Sequence, residues 1–316
     1  MARATNSPKS AEDTELLNDM ELAVENLNSA IARIEHAGAP LFSPQEIREI
    51  TGMLQAVFSA ARPHFISGRN RNPISHHTQV LDNMVRIGLG QRLEYRQFKN
   101  AALLALLHDI GNALCSRPKF KTDQVIEAFK HSATEGLSTA RKAIEFRLEH
   151  MNRGAELAGE LLADMILQGK LSGADVDLIC RAVSVHDNPS VAMVLQKLAD
   201  ETDDEVGYEM CEFLLPFDSS PFGQLVELIR EADRLYMLSE QGIGKDLRDA
   251  NEEPTAGNVL ARLESNENRH AEEFELYERA GKAEGFRSGT LYRTAAGYEM
   301  SIEASKSVRA KWKTQD

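Results

Sequence analysis

The stretch "ALLALLHDIGNAL" (102–114) places two polar side chains, His108 and Asp109, at the end of a run that otherwise reads as buried helix. Burying an imidazole beside a carboxylate is unfavourable by several kcal/mol unless something compensates. Other residues share the same setting. His76 opens "HHTQVLDNMVRI", His150 lies in "EHMNRGAELA", His186 in "AVSVHDNPS" and Asp233 in "LIREADRLYML". Each stands next to the apolar stripe of its own segment, so each is expected to point inward. A lone inward histidine is ordinarily a satisfied core residue. Four histidines and two aspartates from separate segments instead suggest convergence on divalent metal, which supplies the compensation. Neutral imidazole and carboxylate suit Fe, Mn, Co, Ni or Zn. Asp109 has two oxygens and could bridge two ions, and two ions about 3.5–4 Å apart can activate water and clamp a phosphoryl group.

The remaining histidines are weaker candidates. His36, His64 and His270 sit in polar contexts and are expected at the surface. His131, in "FKHSATEG", rivals His150 but lacks an apolar frame and reads as a loop residue. His77 competes with His76 for the first position. Asp187 directly follows His186 and is given no metal role.

These residues need helices to position them. "TELLNDMELAVENLNSAIARIEHAG" has apolar residues at 16, 17, 20, 24, 27, 31 and 34, which is helical spacing, and Gly38 and Pro40 end it. "SPQEIREITGMLQAVFSAA" opens with Ser43 as N-cap, Pro44 in the first turn and Glu46 three residues after the cap. A basic loop, "SGRNRNP" (67–73), precedes helices over about 75–88 and 97–114. "TDQVIEAFK", "EFRLEHMNRGAELAGELLADMILQG", "SGADVDLICRAVSVHD" and "PFGQLVELIREADRLYMLSE" are further helical patterns, while "DETDDEVGYEMCE" reads as a solvated acidic stretch. From about 284, "GFRSGTLYRTAAGYEMSIEA" alternates weakly and suggests a small hairpin. The expectation is a predominantly all-α fold. It has a disordered tail over 1–12, an N-terminal helical segment over 13–66, a central domain over 67–245 and a C-terminal extension over 246–316.

Composition limits the function. The 316 residues carry a formal net charge of −13, which argues against broad nucleic-acid binding but not against a phosphate-sized positive pocket. No stretch approaches 18 apolar residues, so neither a signal peptide nor a membrane span is expected. The three cysteines, Cys115, Cys180 and Cys211, are widely spaced and fit a reducing cytoplasm.

The ordered pattern H…HD…H…H…D, with "LLHDIG", "HMNRGAELA" and "EADRL", resembles the HD-domain metal-dependent phosphohydrolases over about 75–240. The resemblance implies an HD helical bundle whose His76, His108, Asp109, His150, His186 and Asp233 hold two transition-metal ions. Asp109 would be the catalytic bridge. It favours His76 over His77, because Val80 follows His76 at the family's spacing. It also implies hydrolysis of a phosphorylated small molecule such as a nucleotide. Some six-ligand members use two irons to activate oxygen instead, and others only bind a nucleotide or partner. Many members carry Lys where this chain has Asn112. Asn112, Arg153 and Arg234 are therefore expected to bind substrate, with Arg117, Lys119 and Lys121 as further sources of charge. The segments outside the central domain would be available for homo-oligomer assembly.

Overall fold

A computed structural model of the chain describes residues 11–66, 72–116, 119, 122–202, 213–215, 218–287 and 289–313. Every regular element among them is helical. In chain order they are α1 (Ala11–Ala37), α2 (Pro44–Ile66), α3 (Ile74–Gly90) and α4 (Tyr95–Leu107), then a 3₁₀ turn (Ile110–Leu114). These are followed by α5 (Thr122–His131), α6 (Ala133–Leu167), α7 (Gly173–Val183) and α8 (Asn188–Thr202). The last four are α9 (Pro221–Met237), α10 (Glu240–Asp249), α11 (Ala256–Arg279) and α12 (Ala295–Trp312). None is long and apolar enough to cross a membrane. Most of the expected 1–12 tail lies outside the described residues, though α1 already begins at Ala11. Cys211, most of the acidic stretch, Arg117 and Lys121 also lie outside them.

Local chemistry sets the helix starts. Ser43 and Glu46 form a reciprocal capping box at α2, with Glu46 Oε2 accepting from the Ser43 N–H at 2.8 Å. Ser172 and Asp175 do the same for α7. The start of α3 has no such local help, because Pro73 offers no capping side chain. Asp19 of α1 reaches across instead and accepts from the N–H groups of Ile74 (2.7 Å) and Ser75 (3.1 Å). These two orphan donors are thereby satisfied from a different helix, and α1 is fixed against the helix that carries His76.

At the centre lies α4, in which every residue from Phe98 to Leu107 is buried. Its two polar members both donate outside the helix, although Asn100 Oδ1 accepts no hydrogen bond. Lys99 donates to Glu49 (3.2 Å) and to the Lys170 carbonyl (2.7 Å), and Asn100 donates to Asp175 (2.9 Å). The main core gathers α1, α2, α3, α4, α7, α9 and the C-terminal half of α6 around it. Asn83 donates to the Ala232 carbonyl at 3.0 Å and joins α3 to α9 beside Asp233.

The expected C-terminal hairpin is not formed. The "AAG" expected between its two candidate strands (295–297) and the second strand after it both lie inside α12. The physical reason is a capped start: Thr294 accepts from the Gly297 N–H at 2.9 Å, and buried Glu231 of α9 accepts from the N–H groups of Arg293 (2.6 Å) and Thr294 (2.9 Å). A cap anchored to the core outweighs weak alternation at the surface.

Candidate metal centre

Asp109 sits where α4 ends. Its backbone (φ −104°, ψ 10°) leaves the α-helix for the 3₁₀ turn, which brings that turn against α6. The approach is close: a Cβ on Gly111 would collide with the His150 carbonyl and with the backbone of Gly154. The glycines of "HDIG" and of "HMNRG" are thus the two sides of one contact. Together they set Asp109 beside His150.

The Asp109 carboxylate lies between two groups of imidazoles. Oδ2 is 3.3 Å from His76 Nε2 and 3.8 Å from His108 Nε2, while Oδ1 is 3.0 Å from His186 Nε2 and 3.5 Å from His150 Nε2. Asp233 Oδ1 completes the first group, 3.7 Å from His76 Nε2 and 3.8 Å from His108 Nε2. His76, His108 and Asp109 form one group that could hold a metal ion; Asp109, His150 and His186 form another.

The ring orientations are set by the helix ends. His108 follows α4, and its Nδ1 lies 2.8 Å from the Ala105 carbonyl; His186 follows α7, and its Nδ1 lies 2.7 Å from the Val183 carbonyl. A carbonyl can only accept, so each Nδ1 carries the proton and each Nε2 turns toward Asp109. The Nε2 atoms of His76 and His108 lie 3.1 Å apart. Ligand atoms about 2.1 Å from one ion and at right angles to each other are separated by about 3 Å. Lone-pair atoms crowded at this spacing, in a buried site, are what a divalent cation fits.

Electrostatics reflects the same arrangement. Burial alone would raise the Asp109 carboxyl, but His108, His186 and His76 hold it well below the usual carboxylate range. Burial drives His150 down to about 4. It also opposes charge on His186, but the Asp109 carboxylate outweighs it and raises His186 to about 9. Asp233 is likewise held low, against burial, by His108 and His76. His77 lies behind this layer, stacked on Phe65 with ring centroids 4.1 Å apart. Burial and the two neighbouring imidazoles, His76 and His108, keep it well below the ordinary histidine value. His131 is exposed, 3.9 Å from Glu127. His270, expected at the surface, is 7% exposed and packs edge-on to Tyr292.

A cleft opens over the centre. It is lined by Asn72, Asn112, Lys119, Arg147, Asp187 and Arg234 among others, together with Lys245, Asp246 and Arg269 from α10 and α11. Asn72 donates to Asp109 Oδ2, and Lys119 donates to Asn72 Oδ1 at 3.1 Å. Asn112 is buried on this wall, with its Oδ1 unpartnered. Arg234 lines the cleft, but its guanidinium is engaged by Glu273 (2.8 Å) and Asp233 (3.2 Å). Arg153 is exposed, 3.3 Å from Glu156, and does not line the cleft. The sequence reading did not single out Asn72, Arg147, Lys245 or Arg269, and it left Asp187 without a role. Asp187 is in fact a cleft residue, 3.9 Å from His150 and 3.7 Å from Arg147. No protein-family model, no curated protein and no solved structure matches the chain.

Proposed function

We propose that this chain is an HD-type metal-dependent phosphohydrolase that cleaves a phosphate ester or anhydride of a small molecule such as a nucleotide. One observation carries this reading: the two oxygens of Asp109 face two separate groups of histidine nitrogens. His76, His108, Asp233 and Asp109 Oδ2 would hold one divalent ion, and His150, His186 and Asp109 Oδ1 the other. Bound there, two ions supply Lewis-acid activation of water and a charge clamp for the phosphoryl group.

The chain's own residues do the rest. The i−3 carbonyl contacts of His108 and His186 keep their Nε2 atoms free to act as ligands. Asn72 orients Asp109 from outside the histidine layer. With Asn112 in place of the family's Lys, Lys119 is the cleft cation we assign to the substrate phosphoryl group. It lines the same cleft and donates to Asn72 at 3.1 Å, and its ammonium can bind a phosphoryl oxygen. Cys115 and Cys180 form no disulfide among the described residues, which suits the cytoplasmic setting expected from the sequence.

The test is a panel of nucleotides and phosphate esters, run with Mn, Co, Ni or Fe under strict exclusion of oxygen. A hydrolase releases phosphate or a dephosphorylated product without oxygen. Turnover that requires iron and consumes oxygen would replace this reading with the oxygenase one.

A further inference from the structure

Asn188 is the first residue of α8 and is 9% exposed. Its backbone N–H donates to the Val185 carbonyl at 3.1 Å, but its side-chain amide has no hydrogen-bond partner among the described residues. An amide withdrawn from water and left unpaired is costly, and native proteins rarely keep one. Asn188 lines a second cavity of about 130 Å³, bounded by the start of α8, by α9 and by α11. An apolar cavity of about 150 Å³ is enough to hold benzene. The apolar wall comes from Val185, Pro189, Phe213, Phe222, Val226 and the Tyr277 ring. Of the residues lining this cavity and the metal cleft, only His186 is common to both. We infer that the cavity binds a small neutral molecule with an apolar body and a carboxamide head, and that Asn188 recognises the head.

The head is neutral because the charged groups of the wall are already engaged. Arg230 donates from Nη2 to Glu227 and to the Leu291 carbonyl (3.4 Å), and Glu227 is also 3.2 Å from Arg293. Asp218 accepts from the Ser220 N–H (2.6 Å) and from the Ser220 hydroxyl (2.7 Å). A ligand carboxylate would face Glu227 and Asp218, and a ligand ammonium would face Arg230. Either would enter a largely buried site without a counter-charge of its own. A carboxamide avoids both costs and complements Asn188 atom for atom. Its N–H donates to Asn188 Oδ1, and its carbonyl accepts from Asn188 Nδ2. Arg230 Nε–H, which meets no acceptor, is a further donor on the same wall. An apolar body held by the walls and oriented by a few placed polar groups is the usual plan of a small-molecule site.

The experiment is calorimetric titration of the full chain, as purified, with probes of similar size: benzamide, benzoate, benzylamine and toluene. The wild type should bind benzamide at least about tenfold more tightly than the others, the order expected of a desolvated hydrogen-bonded pair. Asn188→Leu, close in volume, should weaken benzamide by about tenfold and leave toluene within about threefold. Val226→Phe, which keeps Asn188 and fills the apolar end, should weaken both. Stripping metal with a chelator should leave benzamide affinity within about threefold, since the cavity and the cleft share only His186. The inference is overturned by benzoate or benzylamine binding as tightly as benzamide, by the absence of saturable benzamide binding, by unaltered affinity in Asn188→Leu, or by loss of binding with the metal. If Asn188→Leu does not fold, Val226→Phe decides: lost benzamide binding supports the cavity, and retained binding overturns it.

Discussion

Two clusters of buried charge flank α9, and they are built on opposite plans. On one side Asp233 faces His76 and His108 across from Asp109, so that carboxylate oxygens and imidazole nitrogens converge, most of them offering lone pairs. On the other side opposite charges are matched within the chain. Glu227 pairs with Arg230 and lies 3.2 Å from Arg293, Arg234 donates to Glu273 at 2.8 Å, and Glu231 accepts from Arg293, Thr294 and the Thr294 hydroxyl. The second cluster ties α9 to α11 and α12. The first brings together atoms that could hold a cation. Buried charge alone therefore does not mark a candidate site here; the crowding of ligand atoms around one carboxylate does.

The contrast can be broken from the matched side first. Glu273→Ala would leave buried Arg234 with Asp233 alone among the carboxylates it pairs with, and stability should fall by up to about 3–5 kcal/mol in denaturant unfolding. The same assay on metal-free protein should find His150→Gln within about 1 kcal/mol of wild type or above it, because that residue serves a ligand rather than the fold. Equal losses in the two variants would erase the distinction. Gly111→Ala probes the joint that sets Asp109 beside His150. Its methyl group would meet the His150 carbonyl, so a loss of about 1–3 kcal/mol is expected, accompanied by lower metal content. An unchanged metal content would show that the close approach does not position the site.

Another test uses pH. Burial, with Arg234 and Arg269 nearby, lowers His270 to about 3 against the opposing pull of Asp233. The unfolded chain therefore binds a proton near pH 6.5 that the folded chain refuses until about pH 3. Stability contributed by neutral His270 is full above pH 6.5 and is lost as pH falls toward 3, with a slope of up to about 1.4 kcal/mol per pH unit. His270→Gln should flatten that part of the acid limb. If its profile overlies that of the wild type, His270 is not held neutral by its surroundings.

The helices and the inward histidines were legible because helical periodicity places a residue on a face, and the face identifies what it meets. The choice of His76 over His77 needed the family's spacing, since both rings are buried and adjacent. What periodicity could not show is what distant segments bring to a shared cavity. Lys245 and Arg269 sit on helices with ordinary polar faces, and only the packing of α10 and α11 turns them toward Asp109. Arg153 shares α6 with Arg147 but points to solvent, because six residues along a helix change the face. The hairpin expectation failed for a related reason. Thr294, with Gly297 three residues on, is a helix start that local alternation obscured, and Glu231, more than sixty residues earlier, secures it.

The central claim is that Asp109 joins two metal groups through its two oxygens. The direct measurement is the metal content per chain of protein purified without added metal, for wild type, Asp109→Ala and His77→Ala. The account predicts up to two transition-metal ions in the wild type, nearly none in Asp109→Ala, and little change in His77→Ala, whose ring stacks on Phe65 behind the ligand layer. A full metal complement in Asp109→Ala, or a greater loss in His77→Ala, would contradict it.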